Sequence, residues 1–234
     1  MAKKSKKSVV EQTKAEQNVD ELLTKTDKFL DKHLNKVIIG AVIAIVLVLA
    51  YLAYRQFYLA PKEEAAVNTI YTAERYFGEQ NWDAALHGDS ISGSYGFLDV
   101  INEYGSTEEG NLAKAYAGMC YFYLGDAENA VKYLKEYKVE EELTGNLVTG
   151  MIGNAYADLG NYDEAIKYLR KAAAEAKSES LTPHYLYKAA NIYFNEGKLQ
   201  EALDLYKQIE NEYPLSTEGR TIEKDIKRIE TLLK

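Results

Sequence analysis

Apolar positions follow three patterns along the chain. The first is unbroken. Residues 37–54 read VIIGAVIAIVLVLAYLAY, 18 positions without a charge, and the apolar run resumes at 57–60 after Arg55 and Gln56. At about 1.5 Å rise per residue, a helix over 37–59 covers the roughly 30 Å hydrocarbon core of a bilayer. The Val and Ile content would suit a buried strand, but strands in water rarely exceed about ten residues. Tyr51, Tyr54, Phe57 and Tyr58 crowd one end, as interfacial aromatics do. A cleaved signal peptide has a short charged leader and small residues flanking its cut site. Here the leader is 36 residues long, and Ala50, Tyr51, Leu52 and Ala53 do not supply the small pair. The expectation is an uncleaved transmembrane helix over 37–59.

The second pattern precedes the span. Val19, Leu22, Leu23, Thr26, Phe29, Leu30, His33 and Leu34 recur at spacings of three and four, and Asn18 with Glu21 resembles a capping box. This predicts an amphipathic helix over 17–36. It either lies on a membrane surface or a partner, or simply extends the membrane helix. Residues 1–16 are polar and Lys-rich and are expected to be disordered.

The third pattern is a repeat. AYAGMCYFYLGDAENAVKYL (115–134) aligns with GMIGNAYADLGNYDEAIKYL (150–169), so that Gly118, Tyr121, Gly125, Ala130, Tyr133 and Leu134 return 35 positions later. A third copy, YKAANIYFNEGKLQEALDLY (187–206), follows at an offset of 37. An earlier copy, TAERYFGEQNWDAAL (72–86), is interrupted by about ten residues around 87–96 and resumes at 96–110. The pattern reads as helical hairpins. Gly118 permits a close crossing, Tyr121 fills the space beside it, and Gly125 ends the first helix in a left-handed conformation. One hairpin cannot bury its apolar face alone, so copies stack. Residues 217–234 predict a terminal capping helix whose charged face carries Glu223, Lys224, Lys227, Arg228 and Glu230.

These copies resemble the tetratricopeptide repeat (TPR) family over about four units, most specifically in GNAYADLGNYDEAIKYL, with Pro214 where that family ends a unit. The fold class expected is therefore all-α. A single transmembrane helix precedes a TPR α-solenoid of about four hairpins (66–216), and a capping helix (217–234) closes it. DKFLDKHLNK before the span, YRQFYLA after it and the immediate start of the repeats also resemble the layout of YfgM-type ancillary subunits of the bacterial SecYEG translocon. That resemblance implies a single-pass inner-membrane protein with a periplasmic TPR domain. The implied partners are translocon subunits, a membrane-anchored peptidyl-prolyl isomerase and exported clients.

Charge changes the picture in two ways. Residues 1–36 carry nine Lys against six acidic residues, net +3, whereas residues 55–234 are net −11. The basic side reads as cytoplasmic by the positive-inside rule. The acidic excess argues against a nucleic-acid partner. One cysteine and three scattered histidines (His33, His87, His184) exclude a disulfide framework and supply no metal-ligand pair. No phosphate loop or His-Glu-x-x-His motif occurs. GDSI at 88–91 matches an esterase nucleophile motif, but it lacks a preceding strand and a C-terminal Asp-x-x-His. Cys120 reads as a packing residue. No enzyme, cofactor, metal or small-molecule substrate is expected.

Function then rests on a binding surface. In TPR proteins the first helix of each unit lines a concave groove. The resemblance places there Tyr71, Glu74 and Phe77; Met119, Phe122 and Tyr123; Asn154 and Asp158; and Tyr187, Asn191 and Phe194. Asn154 and Asn191 occupy matching places, and an Asn amide can pair with a peptide backbone through one donor and one acceptor. The same side chains could instead pack between units. A family clamp that uses Lys to hold a C-terminal carboxylate is not reproduced, because Ala115 and Gly150 stand at its positions. The expected function is a membrane-anchored protein–protein interaction scaffold, an ancillary SecYEG subunit or periplasmic chaperone-network component. The alternative is an envelope assembly factor serving cell-wall, outer-membrane or secretion machinery.

Overall fold

The computed structural model describes Lys36 and residues 38–139 and 142–234. The expected tail (1–16) and all but the last residue of the amphipathic stretch (17–36) lie outside the described residues. The chain divides into two compact units, Met1–Ala60 and Pro61–Lys234.

In the first unit, residues 38–54 form an α-helix (α1), followed by a π-helical turn at Arg55–Leu59. The side chains of α1 are not covered by protein: Ile39, Val46 and Leu47 remain 58%, 56% and 64% exposed. This is the one helix among the described residues that is long and apolar enough to cross a membrane, with a mean hydropathy of 2.3 in its most apolar stretch. Tyr54 and Tyr58, one turn apart, stack with ring centroids 5.2 Å apart.

The second unit is a row of helical hairpins. α2 (Ala60–Gly78) is followed by α3 (Trp82–His87) and α4 (Phe97–Tyr104). α5 (Glu108–Tyr123) pairs with α6 (Ala127–Glu136), α7 (Glu142–Asp158) with α8 (Tyr162–Ala176), and α9 (Leu181–Asn195) with α10 (Leu199–Glu212). α11 (Glu223–Leu232) closes the row. No named strand occurs among the described residues, and only an isolated bridge joins Asp89 to Ser94.

The turns recur because their chemistry recurs. Gly125, Gly160 and Gly197 take φ of +83°, +72° and +74° to end α5, α7 and α9. Asp126 and Asn161 then cap the next helices, accepting from the Asn129 and Glu164 amides at 3.0 and 3.4 Å. In the first hairpin Asn81 caps α3 in the same way, but Gln80 stands at the left-handed position, at φ +59°. A side chain there costs about 1 kcal/mol relative to glycine. Gln80→Gly is therefore expected to raise the thermal midpoint by a few degrees in a calorimetric scan.

The crossings also recur. A Cβ on Gly118 would lie 2.6 Å from Leu134 Cγ, and one on Gly153 2.8 Å from Leu169 Cγ, so both helix pairs pack with no room for a methyl group. Beside each glycine a tyrosine pair stacks, Tyr121 on Tyr133 and Tyr156 on Tyr168, at 5.2 and 5.5 Å. The core is consequently a series of clusters between helices rather than one centre. α11 seals the last of them with Ile226 and Ile229, helped by Ile222 just before it. Glu223, Lys224, Lys227 and Arg228 remain exposed.

The insertion in the first hairpin interrupts its second helix between α3 and α4. Gly88, at φ +78°, and Gly96 meet at the neck of the loop, where a Cβ on Gly96 would lie 2.3 Å from the Gly88 nitrogen. The helix can therefore stop at His87 and resume at Phe97 while Leu86 and Phe97 both stay fully buried.

Candidate functional site

The first helices of the four hairpins (α2, α5, α7 and α9) carry all eleven groove candidates. On α2 and α5 the candidates are mostly aromatic. Phe77 packs edge-on against Trp82 and Tyr116 at 5.0 and 4.9 Å, and against Phe97 at 6.2 Å, so it is part of the first cluster. Tyr123 lies flat on Trp82 at 4.5 Å and remains 54% exposed, while Tyr71 is 69% exposed. Met119 and Phe122 are half-buried against the clusters that join the second and third hairpins.

Glu74 is half-buried near further acids. Burial, then the charge of Glu109, holds its carboxyl above the ordinary 4.5. Burial raises Glu63 as well, with a side-chain hydrogen bond to Glu109 adding to the effect, while the Glu108 amide donates to Glu63 Oε2 at 3.2 Å. A carboxyl with a raised folded-state pKa favours folding below its unfolded pKa and loses that contribution as pH climbs through the raised value. Ionised Glu74 thus opposes folding at neutral pH. Glu74→Gln is expected to raise the thermal midpoint at pH 7 and leave it unchanged at pH 4, flattening the stability profile between those values.

α7 and α9 bring polar candidates together. Asn154 Oδ1 accepts from Lys188 Nζ at 3.0 Å. Partial burial lowers the Lys188 pKa, and the charge of nearby Asp158 works against that shift. The matching Asn191 is engaged from within its own hairpin, with Tyr206 Oη donating to Oδ1 at 2.6 Å. Desolvation drives the Tyr206 phenol well above its ordinary value.

α11 reaches the remaining α9 candidates. Tyr187 Oη donates to Asp225 Oδ2 at 3.5 Å, and its ring lies 5.8 Å from that of Tyr206. The Arg228 guanidinium sits 4.6 Å over the Phe194 ring. Tyr187 and Phe194 therefore join the fourth hairpin to the cap, Asn191 is held inside that hairpin, and Asn154, Asp158 and Lys188 form a polar group across α7 and α9. The positions where a carboxylate clamp would need Lys are closed. Ala115 is buried, and a Cβ on Gly150 would lie 2.3 Å from the Tyr185 ring.

Burial pushes the Cys120 thiol up to about 12, which makes it a packing residue and not a nucleophile. Ser90 lies in the loop pinned by Asp89, whose side chain accepts from the Ile91 amide at 2.9 Å. Among the described residues no group of three or more His, Cys, Asp or Glu side chains could hold a metal ion.

Two features escaped the sequence reading. Lys188 lies three positions before Asn191 in a helix with no other Lys, Arg, Asp or Glu, and that charge was the available signal. Asn111 and Asn146 sit 35 positions apart, just upstream of the aligned repeat window. Asn111 brackets the backbone of Lys138: its Nδ2 donates to the Lys138 carbonyl at 2.7 Å, and its Oδ1 accepts from the Lys138 amide at 2.8 Å.

Comparison with known proteins agrees with this architecture. Tetratricopeptide repeat family models match residues 116–140 and 151–216. No curated protein matches the chain. Among solved structures, a Q17M variant of Podosopora anserina kinesin light chain nearly identical TPR-like repeats aligns with a TM-score of 0.55 at 16% identity, covering 72% of this chain and 86% of that one. The MamA protein aligns with a TM-score of 0.51 at 15% identity, covering 74% of this chain and 90% of its own. At such identities the likeness is one of fold. Hairpins repeating at 35 residues, glycine-ended first helices and close Gly–Leu crossings are thus those of tetratricopeptide repeats over the two matched stretches, residues 116–140 and 151–216.

Proposed function

We propose that this protein is a membrane-anchored TPR scaffold that holds other proteins beside a bilayer, as an ancillary subunit of the SecYEG translocon with its repeats in the periplasm. The observation that carries the reading is α1, whose apolar side chains are left bare, in the same chain as stacked repeats. TPR domains generally mediate protein–protein interaction. The first-helix faces offer what such contacts use: broad aromatic area at Tyr71 and Tyr123, and a polar group at Asn154, Asp158 and Lys188. The span layout and the basic residues before it support the inner-membrane orientation.

The test is affinity purification from detergent-solubilised membranes of cells that express the tagged chain at native level. SecYEG subunits are expected to co-purify and to crosslink to a photoreactive residue at position 123. Their failure to appear in both assays rejects the translocon as partner.

A further inference from the structure

We propose a second peptide site, away from the first-helix groove candidates, in the cleft between the start of α7 and the end of α8. It takes an extended segment of a partner polypeptide through one backbone N–H donated to Asn146 Oδ1. The inference rests on the scaffold reading above and adds a place and a binding mode to it. The cleft has a volume of about 580 Å³, and its walls include Val139, Gly145, Asn146, Thr149, Ala174 and Lys177.

Asn146 is 3% exposed. Its Nδ2 donates to the Ala172 carbonyl at 2.6 Å, which fixes the orientation of the amide, and its Oδ1 is buried with no hydrogen-bond partner among the described residues. Buried amide oxygens are almost always paired, so an orphan beside a cleft marks an interaction still to be made.

The preceding hairpin shows which one. Asn111, 35 positions earlier, brackets both backbone groups of Lys138. It can do so because α6 ends at Glu136 and the chain then runs extended, which frees the Lys138 amide. The counterpart of Glu136 is Lys171. There the chain continues KAAAEA, a strong helix-forming run, and α8 stays helical to Ala176. The Ala173 amide, counterpart of the Lys138 donor, remains inside the helix. The Asn146 amide thus keeps a carbonyl partner, one position earlier at Ala172, and lacks the amide donor that Asn111 Oδ1 has in Lys138. The missing donor is a backbone N–H, and Asn146 is among the residues that line the cleft. Val139, 62% exposed, and Ala174 offer apolar contact to the neighbouring side chains of the guest.

The probe is a synthetic peptide copying residues 135–141 (KEYKVEE), the stretch that Asn111 brackets, titrated into the full chain in detergent micelles. The Asn146 side-chain amide resonances are expected to shift on titration. N-methylation of the peptide at the position of Lys138 is expected to weaken binding at least tenfold. Ala174→Trp, which fills the cleft from its exposed rim and leaves Asn146 untouched, is expected to do the same. Asn146→Leu should abolish binding, and the Trp variant keeps the test valid if the Leu variant does not fold. Unmoved Asn146 resonances at millimolar peptide, or equal affinity for the methylated peptide or the Trp variant, would overturn the proposal and leave the oxygen to solvent. Co-purification of SecYEG subunits is a separate readout. Its failure alongside intact peptide binding counts against the translocon reading and not against the cleft.

Discussion

Two arginines placed at Val46 and Leu47 should release the full chain from membranes. Both side chains lie near the middle of α1 and remain more than half exposed. Each charge at the centre of a spanning helix costs about 2.5–3.5 kcal/mol on an insertion scale, so the pair opposes insertion by about 5–7 kcal/mol. The expected result is a shift from the carbonate-resistant pellet to the soluble fraction, with helical content in the repeat unit unchanged. A double variant that stays in the pellet would remove the anchor reading, and the scaffold proposal with it.

The second large effect concerns the crossings. Gly153→Val is expected to destabilise the repeat unit by about 3 kcal/mol, the upper part of the range for overpacking a tight core. Alanine would gain about 1 kcal/mol in helix propensity over glycine. Here, however, even its Cβ would lie 2.8 Å from Leu169 Cγ and 3.0 Å from the Leu169 backbone nitrogen, and backbone cannot swing aside. Valine adds two methyl groups to that overlap. Gly78→Ala is the control: nothing lies within 4 Å of its Cβ position, and the change should be neutral or stabilising. Urea unfolding followed by circular dichroism separates the two outcomes. A Gly153→Val protein with an unshifted midpoint would show that α7 and α8 do not pack as described.

Much of the fold was legible because it is local. The repeat frame rests on glycines that end a helix and on Asn or Asp residues that cap the next, and such signals act within four or five residues. Gly118 and Gly153 were readable as close crossings because only a missing side chain explains a glycine inside an apolar helix at a fixed offset. Gln80 breaks the pattern in the one hairpin that also carries the insertion, and the turn forms regardless because Asn81 still caps α3.

The groove was less legible. Most candidates that are engaged find their partner in another element, often more than thirty positions away. Asn154 and Asn191 have the same sequence signature, yet Asn154 meets Lys188 from the next hairpin, and Asn191 meets Tyr206 from its own. Phe77 and Tyr123 are both aromatics on first helices. Phe77 packs against three rings, while Tyr123 keeps half its surface open.

Periodicity, length and turn chemistry were therefore enough to specify the helices, their pairing into repeats and a stretch fit to cross a bilayer, because hydrophobic spacing and capping are properties of short segments. Which side chains stay available to a partner was settled by assembly. Stacking brought Arg228 over Phe194, set Tyr185 against Gly150, and left Asn146 Oδ1 without the amide donor that Asn111 Oδ1 has. Each depends on how one hairpin meets its neighbour, and for Asn146 the relevant difference is that α8 has 15 residues where α6 has 10.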